Sequence, residues 1–325
     1  MDREFEGYDI IGDVHGCAET LTSLLDRLGY RKQSGVYKHR KRQVIFVGDI
    51  IDRGPHIREA LQVVHDMVVH GAAQIVMGNH EYNALGYTTK APPGSGQVYL
   101  REHNERHTRL ISETLEQFAN HSEDWRCFLE WFQSLPLFLE LPGFRVVHAC
   151  WDRDLINTFK QRYQCNTVSK DFIIASVENR SFAGQVMDRL TRGTDMALPG
   201  GLVLRSREGY ERRFFRTKFW SKNPQIYRDI VFQPDPLPDS IANQQINDED
   251  RKKLLTYPAE EPALFVGHYW LQGRPQPIQD NLACLDYSAV KYGRLAAYRY
   301  NGEAQLSAEN FVWVYVDPPE CLKRL

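Results

Sequence analysis

Residues 45–54 read Ile-Phe-Val-Gly-Asp-Ile-Ile-Asp-Arg-Gly. The apolar run that starts at Val44 and stops at Asp49 is typical of a buried strand that delivers a carboxylate to the edge of a sheet. Asp52 and Arg53 then follow in a loop that ends in glycine. An aspartate after a strand is more often a turn or helix-cap residue, so Asp49 by itself indicates little. Its interpretation depends on how the other strands of the chain end.

Side chains that commonly bind metals follow four other predicted strands, near residues 8–12, 74–77, 144–147 and 263–267. These side chains belong to Asp13, His15, Asn79, His148 and His268. The first two are separated by one residue, so on an extended segment they point to the same side. We expect all of them to meet, because the carboxyl ends of parallel strands share one edge of a sheet.

The first ninety residues predict an α/β arrangement. Leucines at helical spacing between residues 21 and 28 predict a helix that Gly29 ends, and Ile57–Val69 has the pattern of a second helix, closed by Gly71. With the strands on either side, the order is βαβαβ. This order indicates a parallel sheet with polar residues at the carboxyl ends of its strands.

Two stretches interrupt the regular pattern. Residues 84–141 begin with a glycine- and proline-rich loop and then suggest helices, whereas residues 155–261 look irregular and are a candidate cap. The tail alternates apolar and polar residues, and Asn301-Gly302 predicts a hairpin turn between antiparallel strands that complete a second sheet. We expect one domain over residues 1–325 that carries both insertions.

Composition excludes several classes of protein. Of the 325 residues 42% are hydrophobic and 25% charged, as in globular proteins, and the formal net charge of -2 gives no overall attraction to nucleic acid or membranes. No apolar run approaches the ~18 residues of a membrane helix, and the acidic start does not resemble a secretory signal. The six cysteines lack the C-x-x-C spacing of zinc or disulfide sites. We therefore expect a reducing, cytoplasmic location without membrane or nucleic-acid partners.

The residues at the strand ends predict a site for two divalent metal ions. Carboxylate, imidazole and amide ligands favour Mn²⁺ first, with Fe, Zn, Ni or Co as alternatives. Two ions ~3.5–4 Å apart need a ligand that reaches both, and Asp49 lies in the middle of the set. The first ion is predicted to bind Asp13, His15 and Asp49. The second is predicted to bind Asp49, Asn79, His148 and His268. Water that bridges two such ions loses a proton near neutral pH and can attack phosphorus.

Phosphate hydrolysis also needs a proton donor and positive charge near the phosphoryl oxygens. His80 follows a predicted ligand directly, and Asp52 could orient its ring and raise its basicity. Arg53 offers a planar fork to phosphate oxygens, and Asn79 is expected to contact the substrate as well as a metal. An alternative for His80 is that it is itself a metal ligand.

Three blocks of the chain, Gly-Asp-Val-His-Gly, Gly-Asp-Ile-Ile-Asp-Arg-Gly and Gly-Asn-His-Glu, resemble the signature of the calcineurin-like metallophosphoesterases. Asp-Arg-Gly and Asn-His-Glu are similar to the phosphoprotein phosphatase branch, which includes symmetrical diadenosine tetraphosphatases. His148 and His268 match the later histidines of that family in order. The resemblance implies a two-sheet β-sandwich flanked by helices, a dinuclear metal site, and the residue roles given above.

The chain departs from the family pattern at the mouth of the expected site. Cys150-Trp151 stands where glycine is usual after His-Ala, and Tyr269-Trp270 follows the last histidine. We expect these bulky aromatics to reshape the mouth. Tyr82 and Asn83 follow Asn-His-Glu without the arginine that protein phosphatases of the branch carry there. One phosphate-binding arginine is therefore missing or is supplied from elsewhere.

A basic stretch could supply that arginine. Residues 189–222 contain nine basic and three acidic residues. Such a stretch is more often a solvated face, but folded over the metals it would suit an anionic leaving group. The candidates for a phosphate contact are Arg205, Arg207, Arg212 and Arg213.

The chemistry and the resemblance together predict a metal-dependent phosphatase. The first expectation is hydrolysis of phosphomonoesters, including those of phosphoserine and phosphothreonine in proteins. The alternative is cleavage of a phosphoanhydride, as in dinucleoside polyphosphates. A regulatory protein that binds metal without turnover is disfavoured because Asp52, Arg53 and His80 are all present. No stacking platform of basic and aromatic residues indicates a nucleic-acid substrate.

Overall fold

The computed structural model describes residues 5–205, 209, 211–232 and 237–317. Its strands are β1 (Gly7–Ile11), β2 (Arg31–Gln33), β3 (Val36–Lys38), β4 (Arg42–Phe46), β5 (Ala73–Ile75), β6 (Phe138–Leu141), β7 (Phe144–Val147), β8 (Asp195–Ala197), β9 (Leu204–Arg205), β10 (Glu211–Arg212), β11 (Phe214–Arg216), β12 (Ala263–Val266), β13 (Leu282–Cys284), β14 (Asp286–Tyr287), β15 (Arg294–Tyr300) and β16 (Phe311–Tyr315).

The α-helices are α1 (Ala18–Arg27), α2 (Ile57–Val69), α3 (Asn79–Thr88), α4 (Glu105–Gln117), α5 (Ser122–Gln133), α6 (Arg153–Tyr163), α7 (Lys170–Ala175), α8 (Phe182–Arg192), α9 (Tyr227–Ile230), α10 (Asp239–Ala242) and α11 (Asp248–Lys253). Helix α2 has the predicted bounds. Helix α1 ends at Arg27, two residues before Gly29, the glycine that was predicted to end it. Within the described ranges, no helix is both long and apolar enough to cross a membrane.

The larger sheet has the strand order β14-β15-β1-β4-β5, with β16 paired to β15. Strands β1, β4 and β5 are parallel, as the βαβαβ pattern predicts. Strand β15 runs antiparallel to β1 and pairs Tyr300 with Tyr8. The carboxyl ends of the parallel strands therefore lie at one edge, where Asp13, Asp49 and Asn79 follow.

The smaller sheet has the order β13-β12-β7-β6, in which β12 is parallel to both β7 and β13. The tail was predicted to form antiparallel strands that complete this second sheet. Only β13 joins it, and in parallel. Strands β14, β15 and β16 are antiparallel as predicted but belong to the larger sheet. Alternation identifies the buried face of a strand but does not identify its neighbour. The predicted hairpin turn at Asn301-Gly302 is also wrong, because residues 301–310 form a longer connection between the two strands.

Apolar side chains pack between the two sheets. Ile10 and Ile45 of the larger sheet share one cluster with Val146 and Phe265 of the smaller sheet. Neighbouring residues such as Ile11 and Phe46 point to the other face, where they pack with the helices. The expected architecture, two sheets flanked by helices, is confirmed.

The long insertion is more regular than predicted. We expected residues 155–261 to be irregular, but α6, α7 and α8 occupy much of the first part, and Ile156, Phe159, Val186 and Leu190 are buried in the main core. A separate cluster that includes Phe215 and Tyr227 holds the second part together. No clear pattern is visible in the sequence because the helices of this segment are short and its strands, β8 to β11, have only two or three residues each.

Candidate metal centre

The structure brings together the side chains that follow five parallel strand ends. Asp13 lies after β1, Asp49 after β4, Asn79 at the start of α3 beyond β5, and His148 and His268 after β7 and β12. All of them are buried, with His148 fully excluded from solvent. The sandwich therefore collects ligands from both sheets at one rim.

Within the described ranges, two groups of side chains have ligand atoms that all lie within 4.8 Å of one another. They are His15, Asp49 and His80, and Asp49, His148 and His268. Asp49 belongs to both groups, and its Oδ2 lies 3.3 Å from His148 Nε2 and 3.8 Å from His15 Nε2. This sharing is the arrangement that a bridging ligand requires.

Asp13 and Asn79 lie beside these groups. The Asp13 carboxylate accepts a hydrogen bond of 3.1 Å from the His268 backbone N–H, which links the ends of β1 and β12. Asn79 Oδ1 lies 3.2 Å from His148 Nε2. His80, which we expected to be a proton donor rather than a ligand, has its Nε2 4.0 Å from Asp49 Oδ2.

The histidine rings are oriented by backbone carbonyls. His148 Nδ1 lies 2.7 Å from the carbonyl of Val47, and His15 Nδ1 lies 2.8 Å from the carbonyl of Ile51. Such contacts leave Nε2 of each ring facing the centre, as in metal-binding histidines generally. His268 Nε2 is buried, and none of the residues that the structure describes forms a hydrogen bond with it. A buried imidazole nitrogen without a partner, beside a shared carboxylate, fits a divalent metal.

His80 is held by an acid–hydroxyl pair. Its Nδ1 lies 2.5 Å from Asp52 Oδ2, and the Thr114 hydroxyl donates to Asp52 Oδ1. The Asp52 backbone N–H in turn donates to Thr114 Oγ1 at 3.1 Å. Thr114 lies on α4, within residues 84–141, so this insertion contributes to the site. No sequence signal pointed to Thr114.

Sequence reasoning also missed the role of Glu81, a carboxylate. It is completely buried on α3 and accepts hydrogen bonds from the backbone N–H groups of Asp49 (2.8 Å), Ile50 (2.8 Å) and Gly78 (3.0 Å). These bonds join the loop after β4 to the start of α3. Glu81 is the last residue of the Gly-Asn-His-Glu block, and that position was the available signal.

The backbone of the site is strained. His15, Asp49, Asp52, Arg53 and His268 all have φ between 43° and 70°, a region that residues other than glycine rarely adopt. Gly48, next to Asp49, has φ of 98°, and a Cβ there would lie 2.5 Å from Gly78 N. Left-handed residues in such numbers are typical of functional sites held by their surroundings.

Burial and neighbouring charges shift the pKa values of the site. Burial, Asp286 and Asp49 raise the pKa of Asp13 well above its usual range. Burial and then Arg216 lower the pKa of His268 well below its usual range, which leaves the imidazole neutral and able to bind a cation. Burial opposes ionisation of Asp49 too, but the surrounding imidazoles, His148 first, keep its pKa well below the usual value.

The chain shows the sequence signature and the geometry of one family. The family model for calcineurin-like phosphoesterases matches residues 8–269. The chain belongs to the calcineurin-like phosphoesterase family. The family and the fold class expected from the three motif blocks are thereby confirmed.

Curated relatives of this phosphoesterase match only part of their own length. A protein of Oceanobacillus iheyensis named bis(5'-nucleosyl)-tetraphosphatase PrpE (asymmetrical) is 34% identical over 146 residues, which are 43% of this chain and 54% of the relative. A protein of the same name from Halalkalibacterium halodurans is 33% identical over 165 residues, 48% of this chain and 62% of the relative. The chain therefore covers between half and two thirds of these relatives.

Solved structures of phosphatases resemble the phosphoesterase over a greater length and at lower identity. A cold-active protein-tyrosine phosphatase of Shewanella is 14% identical, with a TM-score of 0.48 over 96% of this chain and 81% of that one. A serine/threonine phosphatase of Saccharomyces cerevisiae is 14% identical, with the same TM-score over 96% and 80% of the two chains. The family assignment rests on the match over residues 8–269.

A cavity of about 650 Å³ lies over the candidate metal centre of the phosphoesterase. Asp49, Asn79, His80 and His268 form one part of its lining. The rest of the lining is mixed. It contains one further acid, Asp195, which lies 3.9 Å from Arg216, and several aromatic residues. Its basic residues are Arg53, Arg101, Arg106, Arg192, Arg212, Arg216 and Lys291. Most of these residues come from the two insertions.

The four arginines that were candidates for a phosphate contact do not all line the cavity. Arg212 lines it, whereas Arg205 is exposed on β9 and Arg213 is paired with Glu211 at 3.4 Å. Arg207 lies outside the described residues.

Only some of the aromatic residues expected at the mouth of the site are found there. Trp270 lines the cavity, with Arg53 and Lys291 over its ring at 5.3 and 4.0 Å. Tyr269 and Trp151 are instead buried in the core.

Proposed function

We propose that this phosphoesterase hydrolyses phosphoester or phosphoanhydride bonds with the help of two divalent metal ions. The observation that carries the proposal is the pair of ligand groups that share Asp49 at the base of a basic cavity. Ions bound in such a pair lower the pKa of a shared water and neutralise charge on the phosphoryl oxygens.

The proposed ligands are those expected from the strand ends. Asp13, His15 and Asp49 would hold one ion, and Asn79, His148 and His268 would complete the other with Asp49. Arg53 Nη1 lies 3.2 Å from His15 Nε2, so the guanidinium must turn away when that nitrogen binds an ion. Stacked against Trp270, it would then face the cavity as a fork for phosphate oxygens.

His80 is proposed to give a proton to the leaving oxygen. Its ring lies beside Asp49 and is held by Asp52, so a positive charge on the imidazole is stabilised by a carboxylate 2.5 Å away. Because His80 also belongs to one of the two ligand groups, metal analysis of a His80→Ala variant decides between the two roles. A proton donor leaves the metal content unchanged, whereas a ligand does not.

For the substrate we propose a dinucleoside polyphosphate, the class for which the curated relatives are named. Cationic side chains from both insertions surround the cavity, which suits a substrate that carries several negative charges. This reverses the order expected from the sequence. Phosphomonoesters remain the second candidate, because Arg53 and Asn79 suffice to hold a single phosphate.

We also propose that residues 189–222 form a cap over the centre. Arg192, Arg212, Phe215 and Arg216 from this stretch line the same cavity as Asp49. The cap would limit access by water and supply charge to the parts of the substrate that are not cleaved.

One experiment tests the proposal. Metal-free protein is supplied in turn with Mn²⁺, Fe²⁺, Zn²⁺, Ni²⁺ and Co²⁺, and turnover of p-nitrophenyl phosphate, a phosphopeptide and diadenosine tetraphosphate is compared in one preparation. We expect turnover with Mn²⁺ and its loss with a chelator. Asp49→Asn should abolish turnover, whereas the same change at the exposed Asp26 should not. Full activity of Asp49→Asn, or of the chelated protein, would overturn the proposal.

A further inference from the structure

Two arginines converge on one neutral oxygen inside the cavity. Asn83 Oδ1 accepts a hydrogen bond of 2.7 Å from Arg101 Nη1 and another of 2.7 Å from Arg192 Nη2. Asn83 lies on α3, Arg101 follows the loop of residues 90–100, and Arg192 is the last residue of α8. All three line the cavity together with Asp49 and His80. We call these three residues the arginine pair site.

The charges of the arginine pair site are poorly balanced. Arg192 also reaches the half-exposed Asp188 at 3.2 Å, and its guanidinium lies 5.3 Å from the centre of the Tyr82 ring. The Arg101 guanidinium has Asn83 as its hydrogen-bond partner in the described part of the chain. Burial, together with the positive charges of Arg192 and Arg106, lowers the pKa of Arg101 to about 10. Two guanidiniums that share one neutral amide oxygen repel each other, and a bound anion would reduce that repulsion.

The position of the site suggests which anion would join them. Asn79 and Asn83 are one turn apart on α3, so their Cβ atoms are about 5–6 Å apart on the same face of the helix. One belongs to the candidate metal centre and the other to the arginine pair site. A short polyphosphate chain with one phosphate at the metals would reach the arginines with a following phosphate. Guanidinium forks match phosphate oxygens in geometry and charge.

We infer that Asn83, Arg101 and Arg192 form a second phosphate subsite, an inference that rests on the proposed function. This subsite binds a phosphate group of the substrate that is not the one attacked. Substrates with one phosphate would not use the subsite. Substrates with a phosphoanhydride chain would depend on it.

Kinetics with two substrates test this inference. In R101A and in R192A we expect kcat/KM for diadenosine tetraphosphate to fall about tenfold or more, as for loss of a charge-assisted hydrogen bond. We expect kcat/KM for p-nitrophenyl phosphate to stay within about twofold. Arg58→Ala is the matched control, because Arg58 is an arginine outside both the cavity lining and the proposed cap, and it pairs with Asp124 at 2.9 Å. It should change neither value. Equal losses on both substrates, or none, would overturn the inference.

Asn83→Asp separates substrate binding from a purely structural role. A carboxylate at this position would strengthen the links to both arginines and so preserve any structural tie between α3 and α8. It would also repel phosphate. The inference predicts a loss of turnover with diadenosine tetraphosphate at an unchanged or higher melting temperature. A purely structural tie predicts that turnover is unchanged or improved.

Tripolyphosphate isolates the phosphate contribution because it has no nucleosides. Tripolyphosphate is used as an inhibitor of p-nitrophenyl phosphate turnover. Its Ki should rise in R101A by about the same factor by which kcat/KM for diadenosine tetraphosphate falls in that variant. An unchanged Ki would overturn the inference. If the wild-type protein hydrolyses none of these substrates, the proposed function fails, and the subsite is then tested by calorimetric titration with tripolyphosphate. Binding that weakens in R101A supports the subsite, and equal binding in both proteins overturns it.

Discussion

Changes along the chain of contacts from Thr114 through Asp52 to His80 should reduce turnover in a graded manner. His80→Ala removes the proposed proton donor, and general acid catalysis is commonly worth 10²–10⁴-fold. Asp52→Asn keeps an oxygen that can accept from His80 Nδ1 but removes the negative charge 2.5 Å from the ring. A hydrogen bond to a charged group contributes about 1.5–3 kcal/mol and one between neutral groups about 0.5–1.5 kcal/mol. The difference, about 1–2 kcal/mol, corresponds to roughly a 5- to 30-fold loss of kcat.

Thr114→Val should have the smallest effect of the three. It removes the hydroxyl that donates to Asp52 Oδ1 and accepts from the Asp52 backbone N–H, while the carboxylate and its contact with His80 remain. We expect a severalfold loss of kcat. The assay is steady-state hydrolysis of p-nitrophenyl phosphate with excess Mn²⁺, and metal content is measured by mass spectrometry in every variant.

The order of the three variants is the informative result. Equal losses in Asp52→Asn and His80→Ala would mean that the carboxylate does more than support the ring. Loss of bound metal in Asp52→Asn would mean that the contact organises ligands instead. Unchanged kcat in Asp52→Asn would refute the role of the carboxylate altogether.

Three further predictions concern the framework of the site and of the sheets. Glu81→Ala leaves three backbone N–H groups without an acceptor, so it should lower the free energy of unfolding by about 3 kcal/mol or more, as measured by urea denaturation in chelator. Asp9→Ala removes a fully buried carboxylate that binds two arginines, and should cost about 3–5 kcal/mol by the same measurement, whereas Arg126→Ala in an exposed ion pair should cost about 0.5 kcal/mol. Burial raises the pKa of Cys17 to about 11, that of Cys150 to about 12 and that of Cys284 well above its usual value. Thiol reagents at pH 8, followed by peptide mass spectrometry, should therefore modify the exposed Cys127 and Cys165 well before these three buried cysteines. Rapid modification of the buried cysteines would contradict the packing described above. So would an equal loss of unfolding free energy in Asp9→Ala and Arg126→Ala.

Much of the candidate metal centre could be predicted from sequence because local patterns encode it. An apolar run that ends at Asp49 is a strand followed by a carboxylate, whatever the rest of the chain does. Parallel pairing then brings such ends to one edge, so the ligands of β1, β4 and β5 meet without knowledge of side-chain contacts. Helix α2 was equally accessible, since Ile57–Val69 has apolar residues at helical spacing and a glycine beyond its end.

The residues that support the rim could not be predicted in this way. Thr114 is 62 positions from Asp52, and Arg192 is 109 positions from Asn83, so no local pattern joins the members of either pair. The tail illustrates a different limit. Alternation in β15 marks it as a strand with a buried face, but its pairing with β1 depends on the path of the whole chain.

The ligands of the candidate centre are divided between the two layers of the sandwich. Asp13 and Asp49 extend from the larger sheet, and His148 and His268 extend from the smaller one. An ion held by both would add a cross-link between layers that already share apolar contacts and a few hydrogen bonds at the rim. Each tenfold rise in free ion above its dissociation constant would then add about 1.4 kcal/mol of resistance to their separation. Removal of the ion should therefore lower the free energy of unfolding of the protein as well as stop the proposed chemistry.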